Sequence, residues 1–137
     1  MIKVGDEFTH DFSFTQQQVN TFAEITGATN PLHIDAAAGA ASIFGKRIMH
    51  GHLSQSVFTK IFGTMLHNDG HIYMMQKSQF YAPMFVDTTY RAVITVKEIF
   101  PEKNRVSYET KVIDPADDKV CVNGEALLMN KKAYVWE

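Results

Sequence analysis

The sequence predicts an α+β fold in which a long antiparallel sheet wraps around a central helix. Three observations carry this. Gly51 to Leu66 is apolar at helical spacing (Leu53, Val57, Phe58, Ile61, Phe62 and Met65), nearly all round, so the helix must be buried. After Asn68-Asp69-Gly70 the period changes to two, and four long runs follow with short turns between them. A helix apolar on most sides followed by long strands is covered most simply by a sheet that curls around it.

Taken in order, Phe8 to Phe14 alternates loosely and reads as a first strand. Thr15 with Gln18 three residues on forms a capping box, so a helix starts there, carries Val19, Phe22, Ala23 and Ile25 on its apolar face, and ends near Thr26-Gly27. Asn30-Pro31 is a rigid turn, because proline fixes its own φ and drives the preceding residue out of the helical region. Asp35 then caps a short alanine-rich helix over Ala36 to Ile43, weakened by Gly39. Gly45-Lys46-Arg47 is a basic turn that leads to the long helix. His71 to Tyr81 is a strand closed by Pro83. Thr88 to Phe100 places Tyr90, Ala92, Ile94, Val96 and Glu98 on one face. Asn104 to Asp114 alternates Val106, Tyr108, Thr110 and Val112; Asp114-Pro115-Ala116-Asp117-Asp118 turns the chain, and Lys119 to Asn130 is the last strand.

The 137 residues suit one domain spanning 1–137 with a sizeable core. Hydrophobic residues make up 45% and charged residues 20%, an ordinary soluble balance. A net charge of −2 gives no electrostatic case for nucleic acid or an anionic membrane. The N-terminus lacks the apolar stretch of a secretory leader, and no apolar run approaches the ~20 residues of a membrane span. A single cysteine, Cys121, excludes an internal disulfide and is expected in a buried strand; a cytoplasmic location fits.

His33 is the leading candidate for proton transfer, since it sits two residues after the rigid Asn30-Pro31 point and imidazole titrates near neutrality. The segment Phe22-Ala23-Glu24-Ile25-Thr26-Gly27 to Asn30-Pro31-Leu32-His33 resembles the hydratase motif of the MaoC-like, (R)-specific enoyl-CoA hydratases, which are hot-dog-fold proteins. Ile48-Met49-His50-Gly51 resembles the start of that family's central helix, and Phe80 to Asp87 its Phe-x-x-Pro-Val-Phe-x-Gly-Asp turn with one glycine missing. These segments span most of the chain in the family's order.

The resemblance implies hydration of an enoyl thioester to an (R)-3-hydroxyacyl thioester, with water held by an aspartate and by His33. It implies a thioester carbonyl polarised by the Gly51 N–H, where the absence of a side chain and a helix N-terminus both help. Ala28 occupies the position of the family's aspartate. Three readings of Ala28 follow: an introduced Asp→Ala change, an altered hydratase in which Asn30 or Thr29 helps His33 hold water, or a hot-dog protein that binds or hydrolyses acyl thioesters instead. Glu24 is the nearest other carboxylate and reads as a solvated helix face. Thr59 matches a Ser/Thr position of the family on the central helix. Asn30, Thr59 and His50 are the expected substrate contacts.

The partners implied are an acyl-CoA or acyl carrier protein thioester and a second copy of the chain, paired sheet edge to sheet edge. The last strand and the strand after Asp69-Gly70 have the length for that pairing. No cofactor is expected, because there is no Gly-rich phosphate loop. No metal is expected, because His50 and His52 lack the carboxylates or cysteines that would complete a shell. His67 and His71 read as turn residues, Lys46 and Arg47 as solvated, and Phe58, Phe62, Met74 and Met75 as core.

Overall fold

The computed structural model describes residues 2–66 and 71–130. The expected turn Asn68-Asp69-Gly70, with His67, lies outside the described residues. Strand β1 (Glu7–Phe12) leads to α1 (Gln16–Thr26) through the capping box: the Thr15 hydroxyl accepts from the Gln18 N–H, and the Gln18 side chain accepts from the Thr15 N–H. Gly27 ends α1 at φ 76°, the left-handed cap that glycine takes without a Cβ penalty.

The turn after Gly27 holds an element that the sequence reading did not resolve. Asn30 caps a one-turn helix, α2 (Pro31–Ile34), its Oδ1 accepting from the Leu32 N–H at 3.0 Å, with proline at the first helical position. Asp35 caps α3 (Ala36–Ala41) as expected, although α3 stops two residues early. Gly39 does more than weaken this helix. A Cβ there would lie 2.4 Å from the Arg47 backbone nitrogen, so only glycine lets α3 pack against the segment leading to the central helix.

The central helix is segmented rather than a single unbroken α-helix. It comprises α4 (Gly51–Gln55), α5 (Val57–Lys60) and a π turn over Ile61–Met65. The Ser56 hydroxyl donates to the Leu53 carbonyl at 2.6 Å, and the Thr59 N–H takes the Ser56 carbonyl three residues back. Serine hydroxyls competing for helix carbonyls tighten the chain here. The Leu66 N–H then reaches the Ile61 carbonyl, five residues back. Five positions of the predicted stripe are nonetheless buried, Leu53, Val57, Phe58, Ile61 and Phe62; Met65 is only half-buried, and Ser54 and Leu66 are buried besides.

Strands β2 (His71–Phe80), β3 (Tyr90–Phe100), β4 (Arg105–Asp114) and β5 (Lys119–Asn130) join β1 in one antiparallel sheet of order β1-β3-β4-β5-β2. Its inner face presents Tyr90, Ala92, Ile94, Val96, Val106, Tyr108, Val112, Val122, Ala126 and Leu128, which pack in one core with the central helix. Cys121 is buried.

This topology corrects four expectations. β5 lies between β4 and β2, so it is no sheet edge; β2 and β1 are the edges. A register shift between Val96 and Glu98 turns Glu98 off the buried face of β3. A second shift, between Tyr73 and Met75, leaves Met74 exposed and Met75 half-buried rather than in the core. His71 opens β2 instead of standing in a turn, and its Nδ1–H donates to the Phe62 carbonyl at 3.0 Å. Among the described residues no helix is long and apolar enough to cross a membrane.

Candidate active site

Two backbone bonds stitch the segment before the central helix into place. The Ile48 N–H donates to the Leu32 carbonyl of α2 at 3.4 Å, and the Met49 N–H to the Met84 carbonyl at 2.8 Å. The Ile48 carbonyl is thereby fixed, and the His33 ring meets it, with Nδ1 2.8 Å from that oxygen. A carbonyl only accepts, so Nδ1 carries the hydrogen and the neutral ring keeps its lone pair on Nε2. The Gln16 side-chain amide donates to the His33 carbonyl at 2.9 Å, tying α2 to α1. His33 is half-buried, with one basic nitrogen and a fixed ring plane.

His50 lies against this ring. The two imidazoles stack with centroids 3.9 Å apart and planes 28° from parallel. His50 Nε2–H donates to the Ala28 carbonyl at 2.9 Å, and Phe22 of α1 lies 4.9 Å from its ring. His50 therefore faces inward, only 7% exposed, with its Nδ1 buried. Gly51 follows as the first residue of α4, where its N–H has no intrahelical acceptor.

Gly51 also lines a cavity of about 310 Å³ with Phe44, Ser54, Phe80, Tyr81 and Met84. A Cβ on residue 51 would meet the Phe80 ring at 3.2 Å, so glycine keeps this approach open. Ser54 was missed by the sequence reading. It is 3% exposed, and its hydroxyl donates to the His50 carbonyl at 3.1 Å. The signal available was a hydroxyl three residues after Gly51, one helical turn along the same face.

The other candidates fall elsewhere. Thr59 is exposed, not inside the apolar stripe: the turn at Ser56 sends Val57 and Phe58 inward and Thr59 and Lys60 outward. Asn30 spends its side-chain oxygen capping α2. Glu24 is exposed on α1. Ala28 is exposed, its N–H donating to the Thr26 hydroxyl at 3.2 Å. Lys46 and Arg47 are not simply solvated, since the Lys46 ammonium sits 4.2 Å from the Phe85 ring centre and Arg47 donates to the Ile34 carbonyl. Among the described residues no three His, Cys, Asp or Glu side chains gather as a metal site. His33 and His50 each direct one nitrogen at a carbonyl, and their rings stack rather than converge on a shared point.

Comparison with known proteins gives one answer. Residues 3–116 match the family model described as a MaoC like domain. The chain is 32% identical over 128 residues to an (R)-specific enoyl-CoA hydratase of Rhodospirillum rubrum, covering 93% of this chain and 88% of that protein. It is 30% identical over 127 residues to the (R)-specific enoyl-CoA hydratase of Aeromonas caviae, covering 93% and 94%. The solved structure of an (R)-hydratase from A. caviae superposes with a TM-score of 0.88 at 29% identity, covering 94% of this chain and 97% of that one. An R-hydratase from Pseudomonas aeruginosa superposes with a TM-score of 0.87 at 32% identity, covering 99% and 89%. The five-stranded sheet around its helix is thus the hot-dog fold, and the chain belongs to the MaoC-like domain family.

Proposed function

We propose that this protein is an (R)-specific enoyl-CoA hydratase, a hydro-lyase that adds water across the α,β double bond of an enoyl thioester and catalyses the reverse dehydration. The observation that carries the reading is the His33 Nδ1–Ile48 carbonyl bond, which leaves Nε2 as the basic nitrogen. In hydration, Nε2 takes a proton from water as the water oxygen bonds to Cβ. Charge moves to the thioester oxygen, where the Gly51 N–H receives it at the helix N-terminus. The proton then goes to Cα, and His33 returns to its neutral form. The carrier is coenzyme A or an acyl carrier protein. The relatives' names support both, since one is a 3-hydroxyacyl-[acyl-carrier-protein] dehydratase of Arabidopsis thaliana.

With alanine at position 28, His33 is the one acid–base side chain of the pair that the family motif would place here. An aspartate at 28 supplies a second acid–base group. One such group contributes about 10²–10⁴ in rate, so Ala28→Asp is expected to raise turnover on crotonyl-CoA, followed by loss of enoyl absorbance, within that range. Free thiol is measured in parallel. Thiol release without loss of the enoyl group, in both the native chain and the variant, would replace this reading with a thioesterase.

We further propose that two copies pair through β2. It is a sheet edge ten residues long, with Ile72, Tyr73, Met74 and Phe80 exposed. The expected compartment is a reducing cytoplasm, with which the buried free thiol of Cys121 accords.

A further inference from the structure

The residues that open the first three helices after β1 use their side chains on their own helix: Thr15 accepts from Gln18, Asn30 from Leu32 and Asp35 from Ala38. His50 opens α4 and makes no such bond. Its ring turns away from its helix, sandwiched between Phe22 and His33, and donates from Nε2 to the carbonyl of Ala28. Its other nitrogen, Nδ1, is buried without a partner. A leucine or phenylalanine would fill the same space without an unsatisfied lone pair, so packing alone does not account for an imidazole here.

We propose that His50 is a positioning residue for the hydration reaction, holding His33 in one ring orientation and one tautomer while tying it to the Gly51 donor and to the loop at residue 28. This rests on the hydratase reading and deepens it. Two contacts hold the His33 ring, the Ile48 carbonyl at its edge and the His50 face beneath it. A half-turn of the ring would put Cδ2 where Nδ1 meets the Ile48 carbonyl, and any lesser swing would leave the His50 face, so the bond and the stack together hold one orientation. His50 is bonded covalently to Gly51, so the ring that supports the base also sets where the first helical N–H points. Through Nε2 it holds the Ala28 carbonyl and hence the loop over the base. His50 does not act on substrate itself, because its free nitrogen is buried. Misplacing a catalytic group by about 1 Å costs about 10²-fold in rate.

Two substitutions separate the contributions. His50→Phe keeps the stack and loses the bond to Ala28; His50→Gln keeps an N–H donor and loses the ring. Each is compared with the native chain by circular dichroism, by kcat and KM on crotonyl-CoA, and by a long-range ¹⁵N–¹H correlation spectrum of the histidine rings. The native spectrum is expected to show His33 as the single Nδ1–H form and His50 as Nε2–H. The Phe variant keeps the His33 form. The Gln variant shows His33 as a mixture of tautomers, with kcat lower by about 10²-fold and KM within about twofold. A native spectrum with His33 in mixed or Nε2–H form overturns the proposal, as does a folded Gln variant with native His33 signals or with KM alone changed. The spectra need no turnover. A native chain that shows the expected signals but does not hydrate crotonyl-CoA sinks the hydratase reading and leaves the His50–His33 coupling standing.

Discussion

In the proposed reaction His33 acts from Nε2, and the Nδ1 bond to the Ile48 carbonyl favours that form, a bond 2.8 Å long made to backbone and so insensitive to the identity of residue 48. His33→Ala is therefore expected to lower kcat on crotonyl-CoA by about 10²–10⁴-fold, with KM nearly unchanged, in steady-state assays. A change confined to KM would place the chemistry elsewhere. At the same scale, Asp87 takes φ 54°, in the turn where the family motif carries a glycine that this chain lacks, and its N–H donates to the Phe14 carbonyl at 2.8 Å. Aspartate tolerates that conformation better than most side chains, at a cost of about 1 kcal/mol or more relative to glycine. The capping box at Thr15, the Asn30-Pro31 turn and the helix-ending Gly27 were legible in the chain, because such signals act over four residues or fewer, whereas the positive φ of Asp87 was not.

Elements are held by closer tolerances than their sequences suggest. A Cβ on Gly124 of β5 would lie 1.8 Å from the Lys77 carbonyl of β2, where Ser78 faces Gly124 across the ladder. Gly124→Ala is expected to push β2 off β5 and cost about 3 kcal/mol, measured by urea denaturation. An unchanged midpoint would show that the strands do not approach so closely. At the other end of β2, burial holds the His71 imidazole below its ordinary range, opposed by its bond to the Phe62 carbonyl. His71 Nε2 is buried without a partner, so a proton there has no acceptor. Because the folded-state pKa is depressed, the unfolded chain binds the proton more readily. The stability is fully present above the unfolded histidine range, near pH ~6.5, and is lost as pH falls below it. His10 is shifted the same way, first by burial and then by Lys60. Melting temperature is expected to decline between about pH 7 and about pH 5, and His71→Gln, which keeps a donor for Phe62, to flatten that decline. An unaltered slope would assign the pH dependence to His10.

At the scale of the molecule, the sheet has two edges, and they differ. β1 carries the Asp11–Arg91 ion pair at 2.7 Å beside it, whereas β2 exposes apolar side chains along its length. Light scattering is expected to give at least twice the 15.5 kDa chain mass, and Met74→Lys to shift the protein toward one copy, since a lysine on an edge opposes strand pairing. A native monomer would remove β2 as an interface. The sequence by itself determined the run of strands along the chain, the caps at Thr15, Gly27 and Asp35, most of the buried stripe of the central helix and, through its turn context and motif, His33 as the proton-transfer candidate. Each of these is written in local periodicity or in the chemistry of neighbouring residues. Only the tertiary structure decided that β5 lies inside the sheet, that Thr59 faces out, that Ser54 is buried beside Gly51, and that His50 stacks on His33 and holds Ala28. Those facts depend on which strands pair and on rings meeting across 17 positions of chain, and side-chain spacing along a sequence carries no record of contacts made through space.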